Sequence, residues 1–282
     1  MDLSIIIVSW KVKDKLKANL QALYASKGVL SYEIFVVDNN SQDGSVEMVR
    51  TAFPQVKLIA NSENLGFAKA NNQALKEAKG NYLLLLNPDM LVNCDTLINS
   101  LTWARNNQQA VVASCQLVTL QGKIIKHVRH FPTLFDQLMV VLKVPHIFPG
   151  VLNSYLQPKF DYNKEAKVDS VRGAFFLINR VVWEELSQQK FPSLDEQYFI
   201  WFEEVDFCRQ VYVLGGEVWY FPEATCVDHV GASFNQIKVN IKQRYVEESM
   251  LKYFKKWHSP WQYYILKTVW SLGHFLVDRF YK

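Results

Sequence analysis

The chain has 282 residues, of which 49% are hydrophobic and 21% are charged, a balance that excludes a disordered tail and provides for a sizeable buried core. The formal net charge of +4 is too small to predict a polyanionic partner, so we expect no nucleic acid among its ligands. Residues 237–282 hold nine Lys and Arg against three Asp and Glu, which concentrates positive charge in this last segment.

The cysteines and the N-terminal residues indicate the cellular compartment. The four cysteines lack C-x-x-C spacing, and the N-terminus enters an apolar run without a signal-peptide region, so we expect a reduced, cytoplasmic setting. The best candidate for a membrane span, residues 263–277, contains Lys267 and His274 and is shorter than the roughly 20 residues that a span needs. We expect any membrane contact to be peripheral, on the inner face of the plasma membrane.

The first 90 residues alternate between apolar runs and helical periods. This alternation is typical of a parallel sheet covered by helices, whose ligands gather at the carboxyl ends of the strands. Polar residues follow three of the runs: Ser9 ends the first, residues 38–40 end the second and residues 87–89 end the fourth. The predicted strands span residues 3–9, 33–37, 56–60 and 82–86.

The second half has a less regular pattern. Between about residues 121 and 167 the periodicity weakens around an apolar centre, 134–142, and we interpret this stretch as an irregular excursion that contacts a substrate or a membrane. Regular structure resumes with predicted strands at 171–178, 217–221 and 225–228 and helices near 180–188 and 202–214.

Residues 83–89 place a carboxylate at the mouth of an apolar strand, since the sequence LLLLNPD ends in Asp89. Asn-Pro-Asp is also favourable turn chemistry, so Asp89 is either a turn or cap residue or a metal ligand. A hard cation such as Mg²⁺ or Mn²⁺ binds through one or two carboxylates together with substrate phosphates, so a single aspartate suffices.

Residues 202–206, FEEVD, put three acidic residues in the first turn of a helix. Complementing the helix dipole is one explanation. The spacing offers another, because Glu203 shares a polar face with Asp206 whereas Glu204 falls on an otherwise apolar face with Cys208. A carboxylate at that position is expected to be buried or to line a cleft, which is where a general base belongs.

Two other polar features each have a structural and a functional interpretation. His229 follows a short strand and is either a structural histidine or a ligand. Residues 61–68, NSENLGFA, form either a loop with a helix cap or a site for a phosphate-bearing ligand, built from a glycine and successive amides at a helix N-terminus.

Taken in order, these segments resemble the family 2 inverting glycosyltransferases, and within them the bacterial rhamnosyltransferase-like branch, from residue 3 to about residue 234. The resemblance implies a GT-A fold, an α/β architecture with a Rossmann-like, mostly parallel sheet flanked by helices. The segments that carry it are IIIVSW (5–10), VDNNSQDGS (37–45), NLGFA (64–68), LNPD (86–89), RGAF (172–175) and FEEVD (202–206).

The resemblance also implies a division of the chain. Residues 1–236 correspond to the glycosyltransferase domain, with a nucleotide-sugar-binding half (1–115) and an acceptor and catalytic half (116–236). Residues 237–282 form a basic, aromatic, helical C-terminal extension.

Residue roles follow from the same resemblance. Asn87 and Asp89 stand where the family has an Asp-x-Asp metal motif, which implies that Asp89 holds Mg²⁺ or Mn²⁺ while Asn87 faces the nucleotide. His229 matches a histidine that supplies a further metal ligand. The positions that match contacts to the nucleotide sugar are Ser9, Asp38, Asn40, Asn64, Gly66, Asn87 and Asp89.

On the catalytic side, Glu204 matches the general base, with Glu203 beside it as the alternative. Arg172, Gly173, Ala174 and Trp201 match residues that border the sugar and the acceptor.

The implied reaction transfers a sugar from a nucleotide-diphosphate donor to an acceptor hydroxyl in bacterial polysaccharide or cell-surface glycan synthesis. The preferred donor is dTDP-rhamnose, and the second choice is a UDP-hexose. The acceptor is a glycan or a lipid-linked molecule. Glu204 removes the hydroxyl proton, and attack from the face opposite the diphosphate inverts the anomeric carbon.

The alternative is a catalytically silent homologue that binds a nucleotide sugar or glycan, although such a protein has no use for a general base. A nucleotidyltransferase is disfavoured because no Gly-rich phosphate loop follows the first strand.

The C-terminal extension, residues 237–282, carries 11 of the 39 aromatic residues, interleaved with its excess lysines. This composition is typical of a segment that lies on an anionic membrane. The alternative is a set of helices that completes the hydrophobic core or forms a dimer interface, and both interpretations stay open at this point.

Overall fold

The computed structural model describes residues 1–28, 31–229 and 238–280, the last nine of these as backbone only. Within them a nine-stranded sheet has the order β3-β2-β1-β4-β8-β6-β9-β5, and β7 pairs with β9. The end of the predicted resemblance, near residue 234, lies outside the described residues. The strands are β1 Leu3–Ser9, β2 Tyr32–Asp38, β3 Lys57–Ala60, β4 Tyr82–Leu86, β5 Met90–Val92, β6 Ala110–Val118, β7 Ala166–Lys167, β8 Phe175–Asn179 and β9 Glu217–Asp228.

Helices flank this sheet, so the predicted α/β architecture with a helical C-terminal segment is confirmed. The first four strands pair with one another in parallel, whereas β8 is antiparallel to both β4 and β6, so the complete sheet is mixed. The helices are α1 Lys13–Tyr24, α2 Ser45–Ala52, α3 Phe67–Glu77, α4 Thr96–Asn106, α5 Leu134–Val141, α6 Asn153–Leu156, α7 Arg180–Ser187, α8 Glu203–Val213, α9 Val239–Trp257 and α10 Pro260–Phe280.

The central strands are apolar because both faces of the sheet are covered. In β1 the side chains alternate between two hydrophobic clusters: Ile5 and Ile7 pack into one, while Ile6 and Val8 pack into the other. A strand that is buried on both sides lacks the apolar–polar alternation of a half-exposed strand, which explains the continuous run at residues 3–8.

The sheet topology gathers distant segments at one edge. Ser9 at the end of β1 lies in register with Asp38 at the end of β2. The antiparallel β8 begins beside the end of β4, where Leu86 pairs with Phe175, and the Asn87 amide donates to the Ala174 carbonyl at 3.0 Å. Because β9 runs parallel to β6, its end at Asp228 reaches the same edge.

The predicted irregular excursion contains several short helices. A capping box between Thr133 and Asp136 begins α5, and two 3-10 turns, Val144–His146 and Pro149–Leu152, lead into α6. Phe135 and Ile147 in this stretch are exposed. The excursion therefore presents apolar side chains to solvent while remaining attached to the sheet.

The C-terminal helix α9 packs directly on the helix that carries the acidic segment. Asp206 in α8 is fully buried and accepts hydrogen bonds from Lys256 Nζ at 2.8 Å and from Trp257 Nε1 at 2.6 Å, as well as from Tyr198 and Gln210. The Asp206 carboxylate is thus covered by α9. For α9, the prediction of helices that complete the core agrees with the structure.

The outer surface of α10 differs from its inner one. Leu266 and Trp270 join a third hydrophobic cluster with residues of α9, whereas Trp261, Tyr264 and Ile265 are exposed. Within the described residues, no helix is long and apolar enough to cross a membrane. Residues 281 and 282, the end of the predicted extension, lie outside the described residues.

Candidate active site

A cleft of about 170 Å³ opens at the carboxyl edge of the sheet. Its walls come from the loops after β1, β2, β3 and β4, the segment before β8, residues 199–201, the first turn of α8 and one residue of α9. Ten of the fourteen predicted site residues line it: Asn64, Gly66, Asn87, Asp89, Arg172, Gly173, Ala174, Trp201, Glu203 and Glu204.

Three predicted nucleotide contacts lie at the ends of β1 and β2 without lining this cleft. Ser9 Oγ and Asp38 Oδ1 are buried and have no hydrogen-bond partner, while Asp38 Oδ2 accepts the Ser41 amide at 3.0 Å. Asn40 has φ 59°, and its side chain bonds Gln42. It is Asn39, not predicted, that lines the cleft.

The loop before α3 places Asn64 and Gly66 in the cleft wall, but its amides are already engaged. The Gly66 amide donates to Asn64 Oδ1 at 3.0 Å, and the Phe67 amide donates to the Phe199 carbonyl at 2.7 Å. The interpretation of successive amides awaiting a phosphate is therefore wrong for these two groups. Gly66 has φ +84°, and a Cβ there would lie 2.5 Å from the Phe199 carbonyl oxygen, so only glycine fits.

Asp89 and His229 are neighbours despite their separation in sequence. The His229 amide donates to the Asp89 carbonyl at 3.2 Å, and His229 Nε2 is buried without a hydrogen-bond partner. The Asp89 carboxylate has no hydrogen bond or ion pair within residues 1–28, 31–229 and 238–280, although the residue is 8% exposed.

The pair fits a divalent cation that takes its remaining ligands from elsewhere. No group of three or more potential protein ligands occurs within the described chain. Mg²⁺ and Mn²⁺ suit carboxylate ligands, and Mg²⁺ commonly uses one or two of them together with substrate phosphates. Asp89 and His229 therefore suit a cation that arrives with, or is completed by, a diphosphate.

The two adjacent glutamates begin α8 and face the cleft. One oxygen of each carboxyl group is buried without a hydrogen-bond partner, and burial raises the pKa of both above the ordinary value of 4.5. The charge of Glu204 raises the pKa of Glu203 further. For Glu204, the backbone amides of the first helical turn and the guanidinium groups of Arg172 and Arg129 oppose the effect of burial on the pKa.

The backbone that leads into α8 occupies a sparsely populated conformation. Trp201 and Phe202 are consecutive non-glycine residues with φ 64° and 70°, a region that usually costs of order 1 kcal/mol or more per residue. Packing from α9 holds them there: the Phe202 ring lies 5.5 Å from that of Tyr253, and Ser249 Oγ donates to the Ile200 carbonyl at 2.7 Å. The orientation of both glutamates thus depends on α9.

Arg172 forms the opposite wall and is fixed by an ion pair with buried Asp228 at 2.7 Å. Gly173 lies against Glu204, since a Cβ at this glycine would be 3.4 Å from Glu204 Cβ. A larger side chain at position 173 would press on the candidate base. The small residues before β8 thus provide room for a ligand beside the carboxylate.

Aromatic residues that the sequence analysis did not identify complete the cleft. Tyr245 of α9 lies 4.9 Å, ring to ring, from Phe199, and Trp10 follows β1 in the wall. Nothing in the spacing around Tyr245 indicates a site, because its position depends on how α9 docks against residues 198–206.

Comparison with known proteins points to one family. The family "Glycosyl transferase family 2" matches residues 4–186. The chain is 26% identical over 227 residues to rhamnosyltransferase WbbL of Escherichia coli (strain K12), which covers 77% of this chain and 80% of WbbL. It is 23% identical over 209 residues to the N-acetylglucosaminyl-diphospho-decaprenol L-rhamnosyltransferase of Mycobacterium tuberculosis, which covers 70% of this chain and 66% of that protein.

Two further matches differ in coverage. The uncharacterized glycosyltransferase YfnE of Bacillus subtilis (strain 168) is 32% identical over 114 residues, which represent 40% of this chain and only 29% of YfnE. Among solved structures, the mannosyltransferase PcManGT from Pyrobaculum calidifontis, in complex with GDP-Man and Mn²⁺, superposes with a TM-score of 0.59 at 18% identity, covering 96% of this chain and 69% of that chain. The latter likeness shows the GT-A fold.

The raised pKa of Glu203 predicts how stability depends on pH. A carboxyl whose pKa is higher in the folded than in the unfolded state keeps its proton to a higher pH when folded. Its contribution to folding stability is therefore fully present below about pH 4.5 and is lost as pH rises. We expect Glu203→Gln to remove this fall in the free energy of unfolding, which is at most about 1.4 kcal/mol per pH unit for one group. Urea unfolding between about pH 5 and pH 8 measures it, with exposed Glu47→Gln as the control. Parallel pH profiles for wild type and Glu203→Gln would contradict the assignment.

Proposed function

Because the chain belongs to glycosyl transferase family 2, we propose that it transfers a sugar from a nucleotide-diphosphate donor to an acceptor hydroxyl with inversion at the anomeric carbon. The observation that carries this proposal is the meeting of Asp89 with Glu203 and Glu204 in one cleft, although Asp89 lies more than 100 residues before the two glutamates in sequence. A binding protein has no need of a partnerless carboxylate beside a candidate cation site.

The chain's own residues supply the acid–base chemistry. Glu204, whose negative charge the guanidinium groups of Arg172 and Arg129 favour, accepts the proton of the acceptor hydroxyl as the oxygen forms its bond to the anomeric carbon. The bond from that carbon to the diphosphate breaks on the opposite face, and the nucleoside diphosphate departs. In this proposal Glu203 is protonated, which reduces repulsion beside the base, and the ion pair with Asp228 fixes Arg172 in the cleft wall.

Asp89 and His229 are the residues that would hold Mg²⁺ or Mn²⁺. When bound, the cation neutralises charge on the leaving diphosphate. The backbone hydrogen bond between the two residues fixes their spacing independently of the cation. Asn87, which lines the same cleft, faces the nucleotide in this proposal, with Ser9 and Asp38 toward the base and ribose.

The proposed donor is dTDP-rhamnose, with a UDP-hexose as the second choice. Support comes from WbbL and the mycobacterial relative, both named as rhamnosyltransferases. Identities of 26% and 23% support the class of the transferred sugar but not the glycosidic linkage that is formed. We place the product in bacterial polysaccharide or cell-surface glycan synthesis.

We also propose a peripheral contact with an anionic membrane. The exposed side chains of Trp261, Tyr264 and Ile265 lie at i, i+3 and i+4 and form one stripe on α10. Phe135 and Ile147 are exposed on the excursion that packs against the same helix. Aromatic rings at such a surface enter the interface, while neighbouring lysines attract anionic head groups. The mycobacterial relative, by its name, uses a lipid-linked acceptor, which this location would suit.

Donor binding is tested without knowledge of the acceptor. We expect dTDP, UDP and their sugars to raise the melting temperature of wild type in the presence of Mn²⁺, and Asp89→Ala to abolish the rise, because a ligand that binds only the folded state stabilises it by about 2.7 kcal/mol at one hundred times Kd. Exposed Asp95→Ala, which should retain the full response, is the matched control. No response from wild type to any nucleotide would contradict the proposal.

The general base is tested by comparing neighbouring isosteric changes. Glu204→Gln should reduce turnover by roughly 10²- to 10⁴-fold, since removing a general base has that effect, while binding the donor as wild type does. Release of nucleoside diphosphate from the stabilising donor, with a bacterial lipid extract as acceptor, measures turnover. Near-normal turnover in Glu204→Gln together with loss in Glu203→Gln would move the role to Glu203.

Membrane contact is tested on the exposed stripe alone, because truncation after residue 238 would remove buried Met250 and Phe254 from the core. We expect wild type to sediment with phosphatidylglycerol vesicles at low salt and Trp261→Ser/Tyr264→Ser/Ile265→Ser to remain in solution. Tyr212→Ser/Val213→Ser, which removes exposed apolar side chains from the end of α8, should bind as wild type does. Equal sedimentation of all three proteins would refute the contact.

A further inference from the structure

Four arginines of the described chain are partly buried, and they differ in their partners. Arg172 is paired with Asp228 at 2.7 Å and Arg180 with Glu184 at 3.4 Å. The guanidinium of Arg209 lies over the rings of Phe131 and Tyr212. The guanidinium of Arg129 has no carboxylate partner and no hydrogen bond within the described residues.

Arg129 is held close to the cleft by its backbone. Its amide donates to the Ser170 carbonyl at 3.1 Å, and the Ser170 amide donates back to the Arg129 carbonyl at 3.2 Å, which makes an antiparallel bridge. Val128 and Val171 point into the core. Successive side chains alternate in such a pairing, so Arg129 lies on the same side as Arg172, which lines the cleft.

The charge of Arg129 reaches the candidate base. Together with Arg172 it lowers the pKa of Glu204 against the effect of burial. Arg172 already forms an ion pair with Asp228, whereas Arg129 forms no ion pair with a described carboxylate. A partly buried cation without a counter-ion is costly, and a bound anion would remove that cost.

Beyond Arg129, the surface changes from polar to apolar. The guanidinium lies 5.9 Å from the Tyr155 ring centroid, and the His130 amide donates to the Tyr155 carbonyl at 3.0 Å. The same excursion exposes Leu142 and Phe148, which are 56% and 64% accessible. This part of the chain thus combines a cation within electrostatic reach of Glu204, a phenol and exposed apolar side chains.

We propose that Arg129 and the Tyr155 hydroxyl form a subsite for a phosphate group of the acceptor, between the sugar that reacts at Glu204 and an apolar chain that lies on the excursion. The proposal rests on the glycosyltransferase function above and adds the acceptor class, a sugar joined to a lipid through phosphate. A guanidinium suits phosphate because it presents several N–H donors in a planar fork. The phenol offers one additional donor.

Farnesyl phosphate and farnesol form a probe pair that differs only in the phosphate. Titration into the full-length chain, with EDTA present to disable any metal-assisted nucleotide site, should give at least about tenfold tighter binding of farnesyl phosphate. Arg129→Gln should abolish this preference, Arg129→Lys should keep part of it, and Tyr155→Phe should reduce it. Lys123→Gln, which removes a charge from an exposed turn, should match wild type. Melting temperatures establish that each variant is folded.

Two results would overturn the subsite: no preference for farnesyl phosphate in wild type, or a preference that survives in folded Arg129→Gln. Sedimentation with phosphatidylglycerol vesicles separates acceptor phosphate from membrane head groups, because Arg129→Gln should bind vesicles as wild type does, and loss of vesicle binding would assign the arginine to the membrane instead. The probe contains no nucleotide, so failure of this subsite is distinguishable from failure of donor binding in the thermal-shift assay.

Discussion

Several buried polar atoms at the carboxyl edge of the sheet receive no partner from the fold itself. Ser9 Oγ, Asp38 Oδ1, His229 Nε2 and one oxygen each of Glu203 and Glu204 are in this position. Each such group costs about 1–3 kcal/mol relative to a satisfied one. The two hydrophobic clusters on either side of the sheet offset this cost. A polar ligand and a cation that bind these atoms would therefore remove part of this free-energy cost.

The second constraint is the attachment of α9 to α8. Asp206 is buried two residues after Glu204, and Lys256 and Trp257 of α9 donate to it. The same helix supports the strained backbone at Trp201 and contributes Tyr245 to the cleft. Because the segment matched by the family ends at residue 186, both glutamates and their support lie beyond it. Helix α9 therefore forms part of the candidate active site.

The sequence predicted most of the sheet and the site because both depend on local patterns. Asp89 could be identified because it follows an apolar run, and Glu204 could be identified because it lies on the otherwise apolar face of a helix. Other features depend on long-range packing. The engaged amide of Phe67 and the burial of Asp206 follow from how residues 198–206 dock against the start of α3 and against α9, and no spacing in the chain encodes that docking. Arg129 carried no signal because it lies in the irregular excursion.

The central claim is that the cleft binds a nucleotide diphosphate through a cation held by Asp89, beside a base at Glu204. A crystal structure with dTDP and Mn²⁺, in which anomalous scattering locates the manganese, tests it most directly. The account predicts manganese bound to the Asp89 carboxylate and to the diphosphate, with His229 adjacent and the diphosphate facing Glu204. Manganese and nucleotide bound away from Asp89, or a nucleotide bound in this cleft with no manganese at the carboxylate, would contradict it.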